Sequence, residues 1–379
     1  MRPLDPEPSA STNSATSATV VNMLVLKGFV KTFFMGTAKK NNFKTSLNTY
    51  RFKKSEMKIY RDLTEITETF TNACVTIGNF DGAHLGHQLL FAEVVQRAYR
   101  CNGTSVAVTF DPHPLQVLRP QGIKLISTCD QKIELIEHAG IDVLIVIPFS
   151  MEFAGITADY FINDILLKTI GVKELVVGYD YAFGKNRVGN IEFLKAQGAA
   201  KGFSVTVVAA HYEKDFLVSS TIVRELVADG RMVDARTLLG RYYQIRGEVQ
   251  LGQQRGGKEI GFPTANLNME KEDLIPKMGV YVCQVICDGK CYGGVLNIGL
   301  NPTFGEDRLV AETHIFDFNQ DIYGKPIKVN LLQFLRSEKK FSGIAELSTQ
   351  ISKDVIIARK ILKEQQKELI LSCEERFNC

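Results

Sequence analysis

Apolar, β-rich runs alternate with helical patterns between residues 57 and 239, and this alternation restricts the fold more than any other feature of the sequence. The runs read CVTIGNF, TSVAVTF, DVLIVIPF, KELVVGY and FSVTVVAA, and patterns such as GHQLLFAEVVQRAYR and CDQKIELIEHAG lie between them. Nearly continuously apolar strands that alternate with helices are typical of a parallel sheet covered on both faces. We therefore predict an α/β domain whose ligands bind beyond the carboxyl ends of its strands.

The pattern changes after residue 239. Short alternating runs separated by turns follow: YQIRGEVQ, GVYVCQVICDGKCYGGVLNIG, AETHIFDFN and KPIKVNLLQFL. They predict an antiparallel sheet or small barrel. Apolar residues near helical spacing in residues 342–373 predict a C-terminal helix packed on that barrel. Because 379 residues exceed what one core usually supports, we predict two domains with independent cores, residues 57–239 and 240–379.

Residues 1–56 differ from the rest of the chain. They contain nine Lys/Arg against three Asp/Glu, and no acidic residue occurs from Pro8 to Ser55. A transit peptide has such a composition, and so does a disordered tail or a start assigned too far upstream. We expect a non-catalytic extension on a cytoplasmic protein, or an organellar protein if the extension is a transit peptide.

Charge and hydropathy exclude two classes of partner. Residues 57–379 hold 36 Lys/Arg and 39 Asp/Glu, so this part of the chain lacks the basic excess of a nucleic-acid-binding protein. The apolar run LVLKGFVKTFFM is too short, and too interrupted by lysine, to cross a bilayer. We expect neither a nucleic-acid nor a membrane partner.

The eight cysteines do not indicate a disulfide scaffold in a chain of this length. Cys283, Cys287 and Cys291 lie at even spacing around the turn CDGKC. No histidine lies nearby, however, and the spacing is not typical of zinc ligands. We expect reduced, half-buried thiols at these positions rather than a metal.

Two histidines, His84 and His87, follow the first apolar run and lie at the start of the next helix. Such a pair can bind a metal, act as acid and base, contact phosphate or pack in the core. A separation of three places both side chains on one side of a helix. Gly86 removes a side chain between them, and a helix N-terminus attracts anions. This combination favours a triphosphate site over a metal site, for which Asp81 offers no recognisable third-ligand spacing.

A second polar cluster lies far along the chain, in VSSTIVREL. Ser219, Ser220 and Thr221 are at a predicted helix start, where hydroxyl groups act as N-caps. Arg224 lies one turn later and is placed to contact the same anion as the histidines. Plain capping beside a solvated arginine explains the cluster equally well when it is considered alone.

A glycine-rich stretch, RGGKEIGFPTANL, opens the second half of the chain. Its glycines allow a loop to close over phosphate, and its proline fixes the chain that follows. Thr264 and Asn266 offer oxygen ligands suited to Mg²⁺. The loop is not a Walker A motif, because it lacks Gly-Lys-Ser/Thr. Further on, Glu312 alternates with His314 and Phe316, so its strand face is not clearly a solvent face.

The first two clusters together resemble the signatures of the nucleotidyltransferase superfamily with HxGH and SSTxxR motifs. TFDPHP and VVGYDYAFGKNRVGN narrow the resemblance to the adenylyltransferase domain of bifunctional riboflavin kinase/FAD synthetases, over about residues 57–239. This resemblance implies a Rossmann-like α/β nucleotidyltransferase domain that transfers AMP from ATP to the phosphate of FMN. His84 and His87 would contact the reacting phosphates. Ser219, Thr221 and Arg224 would hold the pyrophosphate.

The same resemblance implies nucleotide or flavin contacts for other residues in these motifs. His113 would shape the pocket, or would only order a turn between two prolines. The remaining expected contacts are Gly78, Asn79, Phe80, Asp81, Gly86, Asp111, Asp180 and Ser220.

The second half contains GFPTAN, NIGLNPTFG, ETHIFDF, DIYG and FLRSEKKF in the order found in riboflavin kinases, and it resembles that domain. The resemblance implies an antiparallel six-stranded β-barrel with a C-terminal helix. Glu312 would be the general base for the riboflavin hydroxyl, while Thr264 and Asn266 would hold Mg²⁺ and ATP. Arg336 would line the flavin site, or form a surface salt bridge. The other expected contacts are Gly257, Lys258, Gly261, Pro263 and Asn297.

Departures from the family pattern are few. Ala83 replaces the usual valine, and Ile222 occupies a position that is often basic. The leading interpretation is a bifunctional enzyme with Mg²⁺ as cofactor, ATP as co-substrate, and riboflavin and FMN as substrates. Weak self-association stays open. A kinase with a structural or regulatory first domain is the alternative enzyme, and a flavin-binding or nucleotide-binding regulator is the alternative outside enzymes.

Overall fold

A computed structural model describes residues 56–251, 261–303 and 306–377 of the chain. The first sheet is parallel, with strand order β1-β4-β3-β2-β5-β6. Its strands are β1 (Lys58–Tyr60), β2 (Ala73–Ile77), β3 (Ser105–Asp111), β4 (Val143–Pro148), β5 (Val172–Gly178) and β6 (Ser204–Val208). The five apolar runs are therefore strands, as predicted, and β1 adds an edge strand that the sequence pattern did not indicate.

Helices cover both faces of this sheet. They are α1 (Leu85–Arg100), α2 (Pro114–Leu118), α3 (Cys129–His138), α4 (Met151–Ala154), α5 (Ala158–Tyr160, followed by a π-helix over Phe161–Ile170) and α6 (Ile191–Lys201). One hydrophobic cluster lies on the side of the π-helix, and a second lies under α1 and α3. Every residue of β2 is buried, as expected for a strand enclosed by helices on both sides.

A short hairpin, β7 (Tyr212–Glu213) and β8 (Phe216–Leu217), leads to two further helices, α7 (Ser220–Ala228) and α8 (Met232–Leu239). The second sheet is antiparallel, with strand order β10-β13-β12-β11-β14-β9. Its strands are β9 (Tyr243–Glu248), β10 (Ala265–Asn268), β11 (Gly279–Cys287), β12 (Lys290–Thr303), β13 (Glu306–Ile315) and β14 (Pro326–Arg336).

This second sheet curls into a nearly closed barrel, because Gln250, just after β9, donates its backbone N–H to the Asn266 carbonyl of β10 (2.8 Å). The C-terminal helix α9 (Ile344–Phe377) packs on the outside of the barrel through Ala358, which meets Val282 and Leu332. The predicted order of an α/β domain, a six-stranded barrel and a C-terminal helix is confirmed.

The prediction of two independent cores is wrong. Apolar side chains of α7 and α8, among them Val223 and Leu238, belong to the same buried cluster as barrel residues such as Tyr281 and Leu296. The sequence pattern assigned these helices to the first domain, since their amphipathic stripes do not tell which sheet they cover. In the structure they join the two halves, because the cluster inside the barrel continues through α7 and α8 to Leu85 and Ile126 of the first half.

Some predictions fall outside the described residues: nearly all of the extension 1–56, and the loop residues Gly257 and Lys258. Within the part of the chain that the structure describes, no helix combines the length and apolar character needed to cross a bilayer.

Candidate functional site

The loop between β2 and α1 carries the histidine pair. Because β2, β3 and β5 are parallel neighbours, their carboxyl ends meet at one edge of the sheet. The loop after β2 therefore lies beside Asp111, which ends β3, beside His113 just after it, and beside Asp180, which follows β5. The sequence predicts ligand binding beyond the carboxyl ends of the strands, and the histidine loop lies at that edge.

His84 and His87 form a stacked pair at the first turn of α1. Their rings are 3.7 Å apart and inclined by 17°. His84 is the N-cap of the helix, and its Nδ1 accepts the His87 backbone N–H at 3.4 Å. Because Nδ1 acts as the acceptor, a neutral His84 carries its proton on Nε2, where it can donate to an anion.

Both histidines are neutral at physiological pH in this structure. Burial, with smaller contributions from the nearby cations Arg241 and Arg224, lowers the pKa of His84 to about 3. Burial also holds the pKa of His87 well below its ordinary value, with His84 and Lys132 contributing. Among the described residues, the buried Nδ1 of His87 has no hydrogen-bond partner, which is unusual for an interior polar atom.

Gly86 makes room for this stack. A Cβ at this position would lie 3.2 Å from both Cε1 and Nδ1 of His84. The sequence argument assigned Gly86 to anion access, and the structure adds a closer role, which is space for the His84 ring. Phe80 supports the pair from below, since its fully buried ring meets the His87 ring edge-on at 5.3 Å.

Asp81 anchors the loop rather than lying open to a ligand. Its side chain is buried, at 3 % exposure, and its carboxylate accepts the backbone N–H groups of Ile126 and Ser127 at 3.1 Å. The same carboxylate forms an ion pair with Arg224. Each oxygen is thus occupied by a donor from a distant segment, and the loop is held by charge-assisted hydrogen bonds.

The serine cluster caps helix α7 as predicted. Ser219 is the N-cap and accepts the Ile222 N–H, whereas Ser220 donates its hydroxyl to the Asp81 carbonyl at 3.1 Å. Thr221 is exposed. Arg224 lies beside the histidine loop, but its Nη2 is paired with Asp81 and its Nε donates to the Lys124 carbonyl (2.8 Å).

The other predicted contacts of this half lie around the same edge. His113 caps the short helix α2 by accepting the Leu115 N–H at 3.1 Å, so the turn-ordering role is present. Its ring also lies within the electrostatic field of the site, and burial lowers its pKa to about 4. Asp111 and Asp180 are exposed. Asn79 accepts the Thr109 hydroxyl through its carbonyl, and Gly78 leaves space for the Phe80 ring.

Lys132 is a candidate site residue that the sequence argument missed. It lies on α3, is 6 % exposed, and donates to the Phe110 carbonyl at 2.9 Å. Burial lowers its pKa, while Cys129, Asp111 and Asp81 raise it. A buried ammonium has three donors, so this lysine can offer further hydrogen bonds to an anion at the histidine pair. The run CDQKIELIEHAG predicted the helix but not the face on which Lys132 lies.

The second candidate site lies on the barrel. Strand register places Glu312 of β13 directly opposite Asn266 of β10 on one side and opposite Asn297 of β12 on the other. Side chains at directly paired positions of adjacent strands share a face and are close neighbours. Three residues that the sequence analysis chose from separate motifs therefore form one row across the barrel.

Glu312 has a proton affinity above that of an ordinary glutamate. Burial raises the pKa of its carboxyl, and the carboxylate of Glu338 raises it further. Glu338 follows β14 and was not among the predicted site residues; it leans over Gly299, where any side chain would collide with its carboxylate. A carboxylate with a raised pKa is a better proton acceptor than a solvated one.

The segment 261–264 leads directly into this row. Gly261 has φ of +81°, a left-handed conformation that favours glycine. Pro263 is exposed, and its carbonyl lies 2.9 Å from Nδ1 of His314, two residues beyond Glu312 on β13. Thr264 is half-buried beside β10. The predicted PTAN segment thus contacts the strand that carries the predicted base.

Arg336 has the salt-bridge role that the sequence analysis left open. Its guanidinium binds both carboxylate oxygens of Asp354 on α9, at 2.8 to 3.2 Å, and Asp354 is 3 % exposed. This bidentate pair ties the C-terminal helix to the barrel. If Arg336 contacts flavin, it must do so while it stays paired with Asp354.

One group of three potential metal ligands occurs among the described residues, and it is not at either site: Cys74, Cys101 and Glu174. Glu174 is already paired with Arg97, and burial raises the pKa of the Cys74 thiol to about 12, so neither favours metal binding. Within the described ranges, Cys283, Cys287 and Cys291 form no such group, and all three are free thiols.

Comparison with known proteins finds matches to both halves of the chain. The family model for FAD synthetase matches residues 66–222, and the model for riboflavin kinase matches residues 239–362. The bifunctional riboflavin kinase/FMN adenylyltransferase of Escherichia coli strain K12 is 35% identical, covering 80% of this chain and 97% of the relative. The corresponding protein of Bacillus subtilis strain 168 is 38% identical, covering 76% and 92%.

Among solved structures, one described as a macrolide-efflux protein from Streptococcus pneumoniae matches with a TM-score of 0.73 and 31% identity. It covers 80% of this chain and 99% of that protein.

Proposed function

The chain belongs to the family of bifunctional riboflavin kinase/FMN adenylyltransferases, and we propose that it makes FAD from riboflavin in two ATP-dependent steps at the two sites described above. The barrel site phosphorylates riboflavin to FMN. The histidine site then transfers AMP from ATP to FMN, giving FAD and pyrophosphate. The observation that carries the assignment of the second step is the neutral, stacked His84–His87 pair at a helix N-terminus.

Adenylyl transfer at the histidine site needs no protein nucleophile. The FMN phosphate attacks the α-phosphorus of ATP in line, and the bond to the pyrophosphate breaks. Catalysis then consists of positioning and of stabilising the negative charge that shifts onto the leaving group. His84 would donate its Nε2 proton to a phosphate oxygen, and the free N–H groups of α1 would bind another. Lys132 would add a positive charge from α3.

Arg224 can hold pyrophosphate without giving up its structural bonds. Its Nε and Nη2 are anchored to Lys124 and Asp81, which leaves Nη1 to face an anion. We propose that this anchoring fixes the guanidinium before the nucleotide binds, since a preorganised charge costs little reorganisation during the reaction.

Glu312 would act as general base in the kinase step. It would accept the proton of the riboflavin 5′-hydroxyl as that oxygen attacks the γ-phosphorus of ATP and ADP leaves. Thr264 and Asn266 present hydroxyl and amide oxygens beside it, a donor set that fits a hard cation such as Mg²⁺. These two residues would hold Mg²⁺, which neutralises phosphate charge when bound.

We also propose a boundary between the two catalytic halves at Gly240 and a cytoplasmic location. Helix α8 ends at Leu239, Gly240 has φ of +68°, and the riboflavin kinase match begins at residue 239, which all support the boundary. Mass spectrometry of the native N-terminus would test the location, because removal of a transit peptide would produce a chain that starts well after Met1.

Two variants and one assay test the site assignment. Purified protein is incubated with riboflavin, ATP and MgCl₂, and riboflavin, FMN and FAD are separated by chromatography. Glu312→Gln should lower the rate of FMN formation by about 10²- to 10⁴-fold, the effect of losing a general base. The same variant should still convert supplied FMN to FAD. The double variant His84→Ala, His87→Ala should accumulate FMN without FAD.

A folded variant that loses both activities would contradict the separation into two sites. Wild-type protein that yields FMN but no FAD would favour the kinase-only alternative.

A further inference from the structure

Arg241 belongs to the kinase half of the chain but contacts the adenylyltransferase site. It lies within the stretch matched by the riboflavin kinase family, two residues after α8 ends. Its Nη1 donates a hydrogen bond of 2.8 Å to the carbonyl of Gly82, 159 residues earlier. Gly82 lies two positions before His84, inside the loop that carries the histidine pair.

Gly82 is held on both of its backbone polar groups. Its N–H donates to the Ser127 hydroxyl at 2.9 Å, while its carbonyl accepts from Arg241. Its φ of +75° is a left-handed conformation that few other residues adopt. The two peptide units on either side of the Gly82 Cα are therefore each held by a hydrogen bond, which fixes the direction in which the chain enters α1.

A second contact reinforces the first from the same junction. The side-chain amide of Gln88 donates to the carbonyls of Ala83 and Leu239, each at 2.9 Å. Gly240 packs so closely that a Cβ there would lie 2.6 Å from Cδ2 of Leu85. The residues at the end of α8 and just before the barrel therefore pack directly against the first turn of α1.

The charge of Arg241 also reaches the site. Burial lowers the pKa of its guanidinium to about 10, and Asp81 and Glu134 oppose that shift, so the group is a cation at neutral pH. This cation is the largest electrostatic contributor, after burial, to the low pKa of His84. It thus favours the neutral imidazole that donates from Nε2.

We propose that Arg241 is a positioning residue for FMN adenylylation, supplied to that site by the kinase half of the chain. It holds the Gly82 carbonyl and fixes the turn that leads to His84 and His87. The inference rests on the proposed role of the histidine pair. Its consequence is that the barrel is a structural component of the adenylyltransferase site as well as a kinase.

The test compares Arg241→Gln with Arg246→Gln in the full-length protein. Arg246 also crosses between the halves, through its ion pair with Glu134, but does not contact the histidine loop. We expect Arg241→Gln to lower kcat for FAD formation from FMN by about 10- to 100-fold, the scale of an ångström-level misplacement of reacting groups. The KM for FMN should stay within about twofold, because uniform binding is not removed.

Riboflavin phosphorylation by the same preparation is the internal control and should match the wild-type rate in both variants. Arg241→Lys retains the charge and can still donate a hydrogen bond, but lacks the planar guanidinium, so its FAD formation should lie between the wild-type and Gln values. Should Arg241→Gln not accumulate as a folded protein, Arg241→Lys decides: a loss of FAD formation of at least about threefold with unchanged kinase activity supports the proposal.

FAD formation at the wild-type rate in a folded Arg241→Gln protein would overturn the inference, and so would an equal loss in Arg246→Gln. If the Gln variant does not fold, FAD formation at the wild-type rate in Arg241→Lys would overturn the inference. Failure of the proposed histidine site would give a different result from failure of the Arg241 inference. In that case the His84→Ala, His87→Ala variant would still make FAD, whether or not Arg241→Gln does.

Discussion

The two candidate sites are held in place in different ways. The histidine loop is fixed by side-chain hydrogen bonds from segments far apart in sequence: Ser127, Ser220, Arg224 and Arg241 all contact residues 81 and 82. The kinase row is fixed by strand register, which aligns Glu312 with Asn266 and Asn297 through backbone pairing. Substitutions in residues that never touch substrate should therefore impair the first site far more than the second.

Their electrostatics also differ. The histidine site combines neutral imidazoles with the buried or partly buried cations Lys132, Arg224 and Arg241. That set suits a polyanion whose charge is redistributed during reaction. The kinase row instead centres on a carboxylate with a raised pKa, which suits proton acceptance. The histidine site is thus suited to stabilising negative charge, and the kinase row is suited to base catalysis.

The substitution Asp81→Ala should have the largest effect, since it removes the main anchor of the histidine loop. It leaves the Arg224 guanidinium and two backbone N–H groups without their acceptor in a buried setting. Breaking a buried ion pair by removing one partner costs about 3–5 kcal/mol. We expect urea denaturation to show a loss of that size in the free energy of unfolding, together with loss of FAD formation.

Asp111→Ala is the matched control for that measurement, because Asp111 is an exposed carboxylate at the same edge of the sheet. Its free energy of unfolding should change by less than about 0.5 kcal/mol. An equal effect of the two substitutions on stability would show that the loop is not held by Asp81, and the contrast between the two sites would fail.

Gly86→Ala should separate stability from activity. The new methyl group would lie 3.2 Å from the His84 ring, so the ring must shift from its stacked position. We expect the rate of FAD formation to fall about tenfold, within the range that misplaced reacting groups produce. The free energy of unfolding should be unchanged or rise by up to about 1 kcal/mol, because alanine favours the helix.

Gly343→Ala is the matched control, since an added Cβ there meets no atom within 4 Å. Both activities of that variant should equal those of the wild type. If Gly86→Ala made FAD at the wild-type rate, the stacked arrangement of the histidines would not be required for adenylyl transfer.

The kinase step should respond to pH in a direction set by Glu312. A general base works only when deprotonated, so kcat for riboflavin phosphorylation should fall as pH drops through the raised pKa of Glu312. Glu338→Gln removes the neighbouring negative charge that raises this pKa, and should therefore move the acidic limb of the profile to lower pH. The measurement is the pH dependence of FMN formation by the wild type and by Glu338→Gln. FAD formation from supplied FMN is the control and should be the same in both proteins. A shift to higher pH in Glu338→Gln would be inconsistent with this assignment.

Sequence reasoning found the strands and both motif sets because each depends on local pattern. The apolar runs predicted β2 to β6, and the residues of the kinase row lay in separate motifs that strand pairing then aligned. Glu312, Asn266 and Asn297 were named from motifs that resemble those of riboflavin kinases, and strand pairing places the three side by side. Their roles stay predictions, and Glu338 was not among the predicted residues.

The supports of the histidine loop could not be predicted in the same way. Arg224 and Asp81 are 143 residues apart, and Arg241 and Gly82 are 159 apart. The sequence around Arg224 or around Arg241 does not show which buried carboxylate or carbonyl the arginine will contact. The shared core was missed for the same reason, because the amphipathic stripes of α7 and α8 show that these helices cover a sheet but not which one.

The smallest effect is expected at Glu134, and it tests whether every contact between the halves matters equally. Glu134 on α3 pairs with Arg246 and Lys328 of the barrel, its side chain is 33% exposed, and none of the described hydrogen bonds joins it to the histidine loop. Partly exposed ion pairs contribute about 0.2–1 kcal/mol and weaken in salt. Glu134→Gln should lower the free energy of unfolding by no more than that at low salt, with a smaller difference at high salt, and should leave FAD formation within about twofold of wild type. A large loss of FAD formation would mean that docking of the barrel as a whole, rather than the hydrogen bond from Arg241 to Gly82, sets the geometry of the adenylyltransferase site.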